Sequence, residues 1–269
     1  MPLPFDTLRL EGALFFPEIL EKTALGDGPC QTPADYQLPK GLKLHDEYGR
    51  AFQIAQAQWK SFAATLERKD LDPTAQSRAF ATEFLRDALG YTDIAPTAPI
   101  EIHARKYPVS TLAAAGKLPV VIAPHTQELD TPDYAFAIEG GGARKKSPAQ
   151  LLQEFLNASP DHTWGLVTNG RKIRLLRDSA TLTRPSFLEA DLETVLSGAR
   201  YPDFAAAWRI LHASRAAASA NHETAWDLWR KEGQEQGTAV RAKMRVGVTD
   251  ALLALGKNKV SKIKCLSLW

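Results

Sequence analysis

Three carboxylates, Asp130, Asp133 and Glu139, lie close together in the chain and are followed by Lys145 and Lys146. Carboxylates gathered in this way can hold a divalent cation such as Mg²⁺, and a nearby lysine can steady the nucleophile or the developing charge of phosphodiester hydrolysis. Asp133, Glu139 and Lys145 are therefore the catalytic candidates. Their spacing argues against a shared pocket, because successive residues of a strand point to opposite faces. No metal site is assigned on sequence grounds.

A second constellation is cationic. Glu139-Gly140-Gly141-Gly142-Ala143-Arg144-Lys145-Lys146-Ser147 joins an expected strand to an expected helix, so glycine backbone N–H groups, cations and a helix start fall together. Such a loop can contact phosphate. It is not a P-loop, because the G-x-x-x-x-G-K-[ST] spacing is not met. Further along, Arg171, Lys172, Arg174, Arg177 and Arg184 surround a hairpin, and alternation places Lys172, Arg174 and Leu176 on one face. Arg144, Lys145, Lys146, Arg171, Lys172 and Arg174 are the DNA-binding candidates, through phosphates and without sequence reading.

Other chemistries lack their patterns. The six histidines, His45, His103, His125, His162, His212 and His222, show no H-x-x-x-H or H-E-x-x-H arrangement. Ser147, Ser159 and Ser186 sit in no G-x-S-x-G elbow, and no G-x-G-x-x-G dinucleotide fingerprint is present. Cys30 and Cys265 have no Cys/His ligand spacing around them, so free thiols are expected.

The elements that must position these residues are legible from periodicity. Prolines at 2, 4, 17, 29, 33 and 39 predict an irregular arm over 1–42 with one short helix near 16–22. Apolar residues at three- and four-residue steps, from Leu44 through Phe52 and Trp59 to Leu66, predict a long amphipathic helix over 43–68. Asp72 before Pro73 reads as an N-cap with proline at the first helical position, opening a second helix that ends at Gly90. Strands are expected at 100–104, 119–123 and 134–138, then a helix from Ser147-Pro148 to 157. Strands 164–168 and 172–177 are joined at Asn169-Gly170, a strong hairpin signal. Helices follow over 191–197, 202–214 and 223–255. The last carries Gly233, Gly237 and Gly247, each costing about 1 kcal/mol relative to alanine, and so calls for a partner surface.

The fold class is α/β (α+β), with a helical segment at 43–95, an α/β core at 96–190 and a C-terminal helical segment at 191–256. Hydrophobic residues at 44% and charged residues at 24% describe an ordinary globular chain rather than a disordered or membrane protein. Its net charge of +2 is too small to name a nucleic-acid partner without local clustering. The start resembles no secretory signal and no apolar run reaches the ~20 residues of a membrane span, so the cytoplasm is the expected compartment. The segment 257–269 is a basic tail with Lys257, Lys259, Lys262 and Lys264 and no acid, read as a truncated or out-of-frame end.

The run from Thr163-Trp164-Gly165-Leu166-Val167-Thr168-Asn169-Gly170 through Arg177-Asp178, preceded by Gln153-Glu154-Phe155-Leu156-Asn157, resembles a segment of large bacterial restriction-modification polypeptides. These are the adenine-methyltransferase fusions of type IIG-like systems and the methyltransferase of DISARM phage defence. The likeness continues through Leu182-Thr183-Arg184-Pro185 and Phe187-Leu188-Glu189, and includes Phe84-Leu85-Arg86-Asp87 upstream. It implies a region that precedes the methyltransferase domain and has a PD-(D/E)xK nuclease-like fold. That class needs an acid and an E-x-K on an adjacent strand, whereas the strand at 118–122 runs here into Ala123-Pro124-His125. The resemblance thus implies a degenerate endonuclease-like module. It has no cofactor of its own: Mg²⁺ belongs to an active-nuclease alternative, and S-adenosylmethionine to the missing portion, since neither its glycine-rich loop nor N-P-P-Y occurs here. Implied partners are duplex DNA and the methyltransferase portion or other defence-system subunits, with no membrane. The alternatives are an active Mg²⁺-dependent nuclease and a regulatory fragment docking on a methyltransferase.

Overall fold

A computed structural model describes residues 5–142, 144–179, 186–217, 224–238, 244–245 and 248. In chain order the elements are β1 (Leu8–Glu11), α1 (Pro17–Leu25), α2 (Leu44–Ala63), α3 (Pro73–Glu83) continued by a π-helical turn (Phe84–Ala88), β2 (Ala95–Pro96), β3 (Ile100–Ile102), β4 (Arg105–Tyr107), β5 (Thr111–Ala113) and β6 (Leu118–Ile122). Then come a 3-10 turn (Tyr134–Phe136), α4 (Pro148–Ala158), β7 (Trp164–Thr168), β8 (Lys172–Arg177), β9 (Phe187–Asp191), α5 (Leu192–Ser197), α6 (Tyr201–Leu211) and α7 (Ala213–Ala216). A further helix, α8, covers 225–238. The protein is α/β, as expected from the sequence.

Among the described residues, seven strands form one sheet in the order β1-β9-β8-β7-β6-β5-β2, and β3 and β4 form a separate ribbon. Within the sheet only the pair β6 and β7 is parallel, joined through α4; the other pairings are antiparallel. Both faces of the centre are covered, which is why β6 and β7 are buried at every position. Val120, Ile122, Leu166 and Leu175 join the larger core beneath α2, α3 and α6, while Val121, Val167 and Leu176 join a smaller one beneath α4. The period-2 alternation of the strands assigns these two sets.

Local signals fix several boundaries. Asp72 caps α3 by accepting the N–H groups of Thr74 and Ala75, and Ser147 and Gln150 form a reciprocal capping box at α4. The hairpin between β7 and β8 forms where expected, with a different turn centre. Gly170 has positive φ and Arg171 does not, so the central pair is Gly170-Arg171 in the pattern of a II′ turn, and Asn169 instead accepts the N–H groups of Arg171 and Lys172.

The expected strand at 134–138 is instead the 3-10 turn, because the Asp133 carboxylate accepts the Ala135 N–H at 2.8 Å and curls the backbone. Segment 1–42 contains the expected helix, α1, but also β1, which pairs with β9 at the sheet edge. That segment is tied in further by Arg215. Its guanidinium is buried, donates to the carbonyls of Cys30 and Asp35, and lies 3.8 Å from the Tyr36 ring centroid.

The long helix expected over 223–255 is described as α8 and at 244, 245 and 248. Trp226 and Trp229 bury fully against the core, and a Cβ on Gly233 would come within 2.7 Å of Phe16. The glycines of α8 thus face a partner surface within the same chain. Gly247, Arg184 and the tail 257–269 lie outside the described residues.

Candidate nucleic-acid interface

The three carboxylates of the catalytic candidate are each engaged separately. Asp130 accepts both Arg174 Nη1 and Nη2 at 2.7 Å, Asp133 caps the 3-10 turn, and Glu139 pairs with Lys106 at 3.3 Å. Among the described residues no group of three or more His, Cys, Asp or Glu side chains is arranged to hold a metal ion. At the end of β6, His125 is buried with its ring 5.8 Å from that of Phe62, which stacks on Phe80 at 4.5 Å. An aromatic cluster occupies the place where an E-x-K lysine would have been sought.

The hairpin cations are also spoken for. Arg171 bonds Glu193 at 2.7 Å and Lys172 bonds Glu128 at 3.1 Å. Arg174 is 95% hidden at its side chain, bonds Glu189 as well as Asp130, and sits 4.2 Å from the Phe187 ring centroid. Its charge is spent inside the protein, which corrects its place in a phosphate-binding rim. Lys172 and Arg174 do share a face, as alternation requires, and from it they clamp the loop 123–133 onto β8.

That loop leads to a surface of a different character. The ribbon of β3 and β4 turns at His103 and Ala104, both in left-handed conformation without glycine. Ile100 and Ile102 pack on the smaller core, so the ribbon lies on the body, and Lys106 exchanges backbone hydrogen bonds with Glu139. Gly140 has positive φ, and a Cβ there would come within 2.6 Å of the Ala104 carbonyl. Glycine is needed for this close approach, which seats the loop 139–146 beside Arg105. The far end of the loop is fixed by backbone hydrogen bonds between Asp133 and Lys146.

Arg105, Arg144 and Lys145 are exposed and carry no ion pair among the described residues, whereas Lys146 is paired with Glu154. Lys145 Nζ stands 4.7 Å from the ring centroid of Tyr134, which is 65% exposed. The loop therefore links a cationic ribbon tip at one end to an outward aromatic at the other. Arg105 and Tyr134 were not singled out in the sequence. In the sequence the basic pair Arg105-Lys106 follows directly on the expected strand at 100–104 with no turn residue between them, and nothing local distinguished Tyr134 from a strand residue.

A cavity of about 690 Å³ lies elsewhere, between the start of β7 and the residues after α6. Several of its polar groups are satisfied by the protein. Asp93 accepts the N–H groups of Ala114 and Ala115, Asp227 accepts from Trp164 Nε1, and Tyr91 donates to the Leu211 carbonyl. Burial holds His212, on the cavity wall, down to about 4.

No helix of the described residues is long and apolar enough to cross a membrane. Comparison with protein-family models, with curated proteins and with solved structures finds no match to this chain.

Proposed function

We propose that this chain is a DNA-associated module of a restriction-modification or phage-defence methyltransferase, non-catalytic by itself, that holds DNA by its phosphates. The observation that carries the DNA part is the group of exposed cations Arg105, Arg144 and Lys145 along one glycine-containing loop and its neighbouring ribbon. Cations without an ion-pair partner among the described residues can replace the counterions of a phosphate backbone, and that exchange supplies affinity without reading sequence. Support for the methyltransferase association is the resemblance carried by the β7–β8 hairpin and its flanks. S-adenosylmethionine chemistry would belong to that other portion.

The active-nuclease alternative loses ground because Asp130, Asp133 and Glu139 each serve a different local contact. A docking role has one specific observation in its favour: Met244 and Val248 are exposed beyond α8. Binding of the full chain to duplex DNA at two salt concentrations, followed by Mg²⁺ in the same samples, separates the readings. Salt-sensitive binding without cleavage supports the proposal. Cleavage lost in Asp133→Ala would restore the nuclease, and no binding at low salt would leave docking on a methyltransferase in front.

A further inference from the structure

We infer that Tyr134, with Lys145 beside it, is a stacking platform for an unpaired nucleotide, so that the interface takes DNA with an exposed base in preference to fully paired duplex; this rests on the DNA-binding reading above. Tyr134 is held outward by its surroundings. The preceding Asp133 caps the 3-10 turn through Ala135 N–H at 2.8 Å, and Phe136 buries on the inner side as the anchor of that turn. Asp133 N–H donates to the Lys146 carbonyl at 2.9 Å and Lys146 N–H donates back at 3.3 Å. This backbone pair fixes the residue before Tyr134 to the residue after Lys145, which sets the ammonium 4.7 Å from the ring centroid.

Loop 123–133 is itself clamped by Arg174 on Asp130 and Lys172 on Glu128. An aromatic side chain exposed at 65% on so constrained a backbone presents a π-face already ordered for a planar partner. Nucleic-acid bases are such partners, every base can stack, and the adjoining cations supply the phosphate contacts that a strand brings with it. In paired duplex the base faces are covered by their neighbours, so only the cations would act. The ring and the cations together select a strand with an open base.

The test is equilibrium binding of the full chain, at low salt, to a labelled single-stranded oligonucleotide, to the matching blunt duplex, and to that duplex with a one-nucleotide bulge. The wild-type chain is expected to bind the single strand and the bulge more tightly than the blunt duplex. Tyr134→Ala should weaken those two by about tenfold or more while changing the blunt duplex by less than about twofold, and Tyr134→Phe should keep the preference because the ring remains. Because the side chain is exposed, circular dichroism of both variants should match the wild type. Equal affinity of the wild type for all three probes, or an equal loss on all three in Tyr134→Ala, overturns the stacking platform and leaves phosphate binding standing. Absence of binding to every probe removes the DNA-binding reading itself, and the platform with it.

Discussion

Arg174 grips Asp130 with both terminal nitrogens at 2.7 Å each, and through Nε it also bonds Glu189, its register partner on β9. The guanidinium thus joins the central sheet to the loop that leads into the candidate interface. Asp130's carboxyl is held below the usual carboxylate range chiefly by this hydrogen bond. Its share of stability is present at neutral pH and is lost as acid protonates the folded carboxylate.

Arg174→Ala would leave Glu189 buried without its main partner, and breaking a buried pair typically costs roughly 3–5 kcal/mol. Urea denaturation should show a loss of that order. The double variant Arg174→Met with Glu189→Leu should recover most of it, since neither buried charge then remains. A loss in Arg174→Ala below about 1 kcal/mol would contradict the internal clamp.

His212 gives the chain an acid-sensitive element. Its ring lies against Trp208 and Tyr36, at 4.4 and 5.6 Å between centroids, and its Nδ1 accepts the Ser214 N–H at 3.2 Å. Burial first, and then the charges of Arg215 and Arg50 against the opposing Glu47, bring it down to about 4. The unfolded chain binds a proton near the ordinary 6.5, so between those values unfolding takes up protons and stability rises with pH. The contribution is full above 6.5 and falls by up to roughly 3 kcal/mol towards pH 4. Melting temperature measured from pH 7 to 4 should drop more steeply in the wild type than in His212→Gln.

Gly233 should behave opposite to helix propensity. Alanine in an exposed helix interior gains about 1 kcal/mol over glycine. Here its Cβ would come within 2.7 Å of Phe16 Cδ2 and 2.8 Å of Phe16 Cβ, close to the backbone of a large ring. Gly233→Ala is expected to destabilise by about 1–3 kcal/mol, the usual cost of overpacking. Adding Phe16→Ala should relieve only the part of the Gly233→Ala penalty that comes from the ring, because the contact with the Cβ of residue 16 remains, as a double-mutant cycle of thermal or urea unfolding would show.

The cations divide into two groups that a salt titration can tell apart. Alanine at Arg105, Arg144 or Lys145 should weaken DNA binding at low salt and lower the slope of log affinity against log salt by about 1 each. Arg171→Ala and Lys172→Ala should move the slope much less, because their charges already face Glu193 and Glu128. Equal effects from both groups would mean that the hairpin pairs open on binding.

The amphipathic helix α2, the Asp72 cap of α3, the capping box at Ser147 and the hairpin at Asn169-Gly170 could all be read from the chain because each signal lies within a few residues of its consequence. β1, β5 and β9 were not distinguished. They are three to five residues long, and their identity as strands comes from partners far along the chain, as when Leu8 pairs with Ala190. The glycines of α8 announced a close contact without naming its other half, Phe16.

The same boundary runs through the candidate interface. Residue types alone determined that Arg144, Lys145, Arg171, Lys172 and Arg174 are cations near turns, and that alternation aligns Lys172 with Arg174. Only tertiary structure decided which charges remain open, because Glu128 and Asp130 reach the hairpin from a loop, Glu189 from β9 and Glu193 from α5. It likewise decided that Arg105 borders the glycine loop and that Tyr134 faces outward. Sequence sets the charge and shape of each side chain, but whether that charge meets a counter-charge or solvent depends on distances in space between residues that the chain keeps apart.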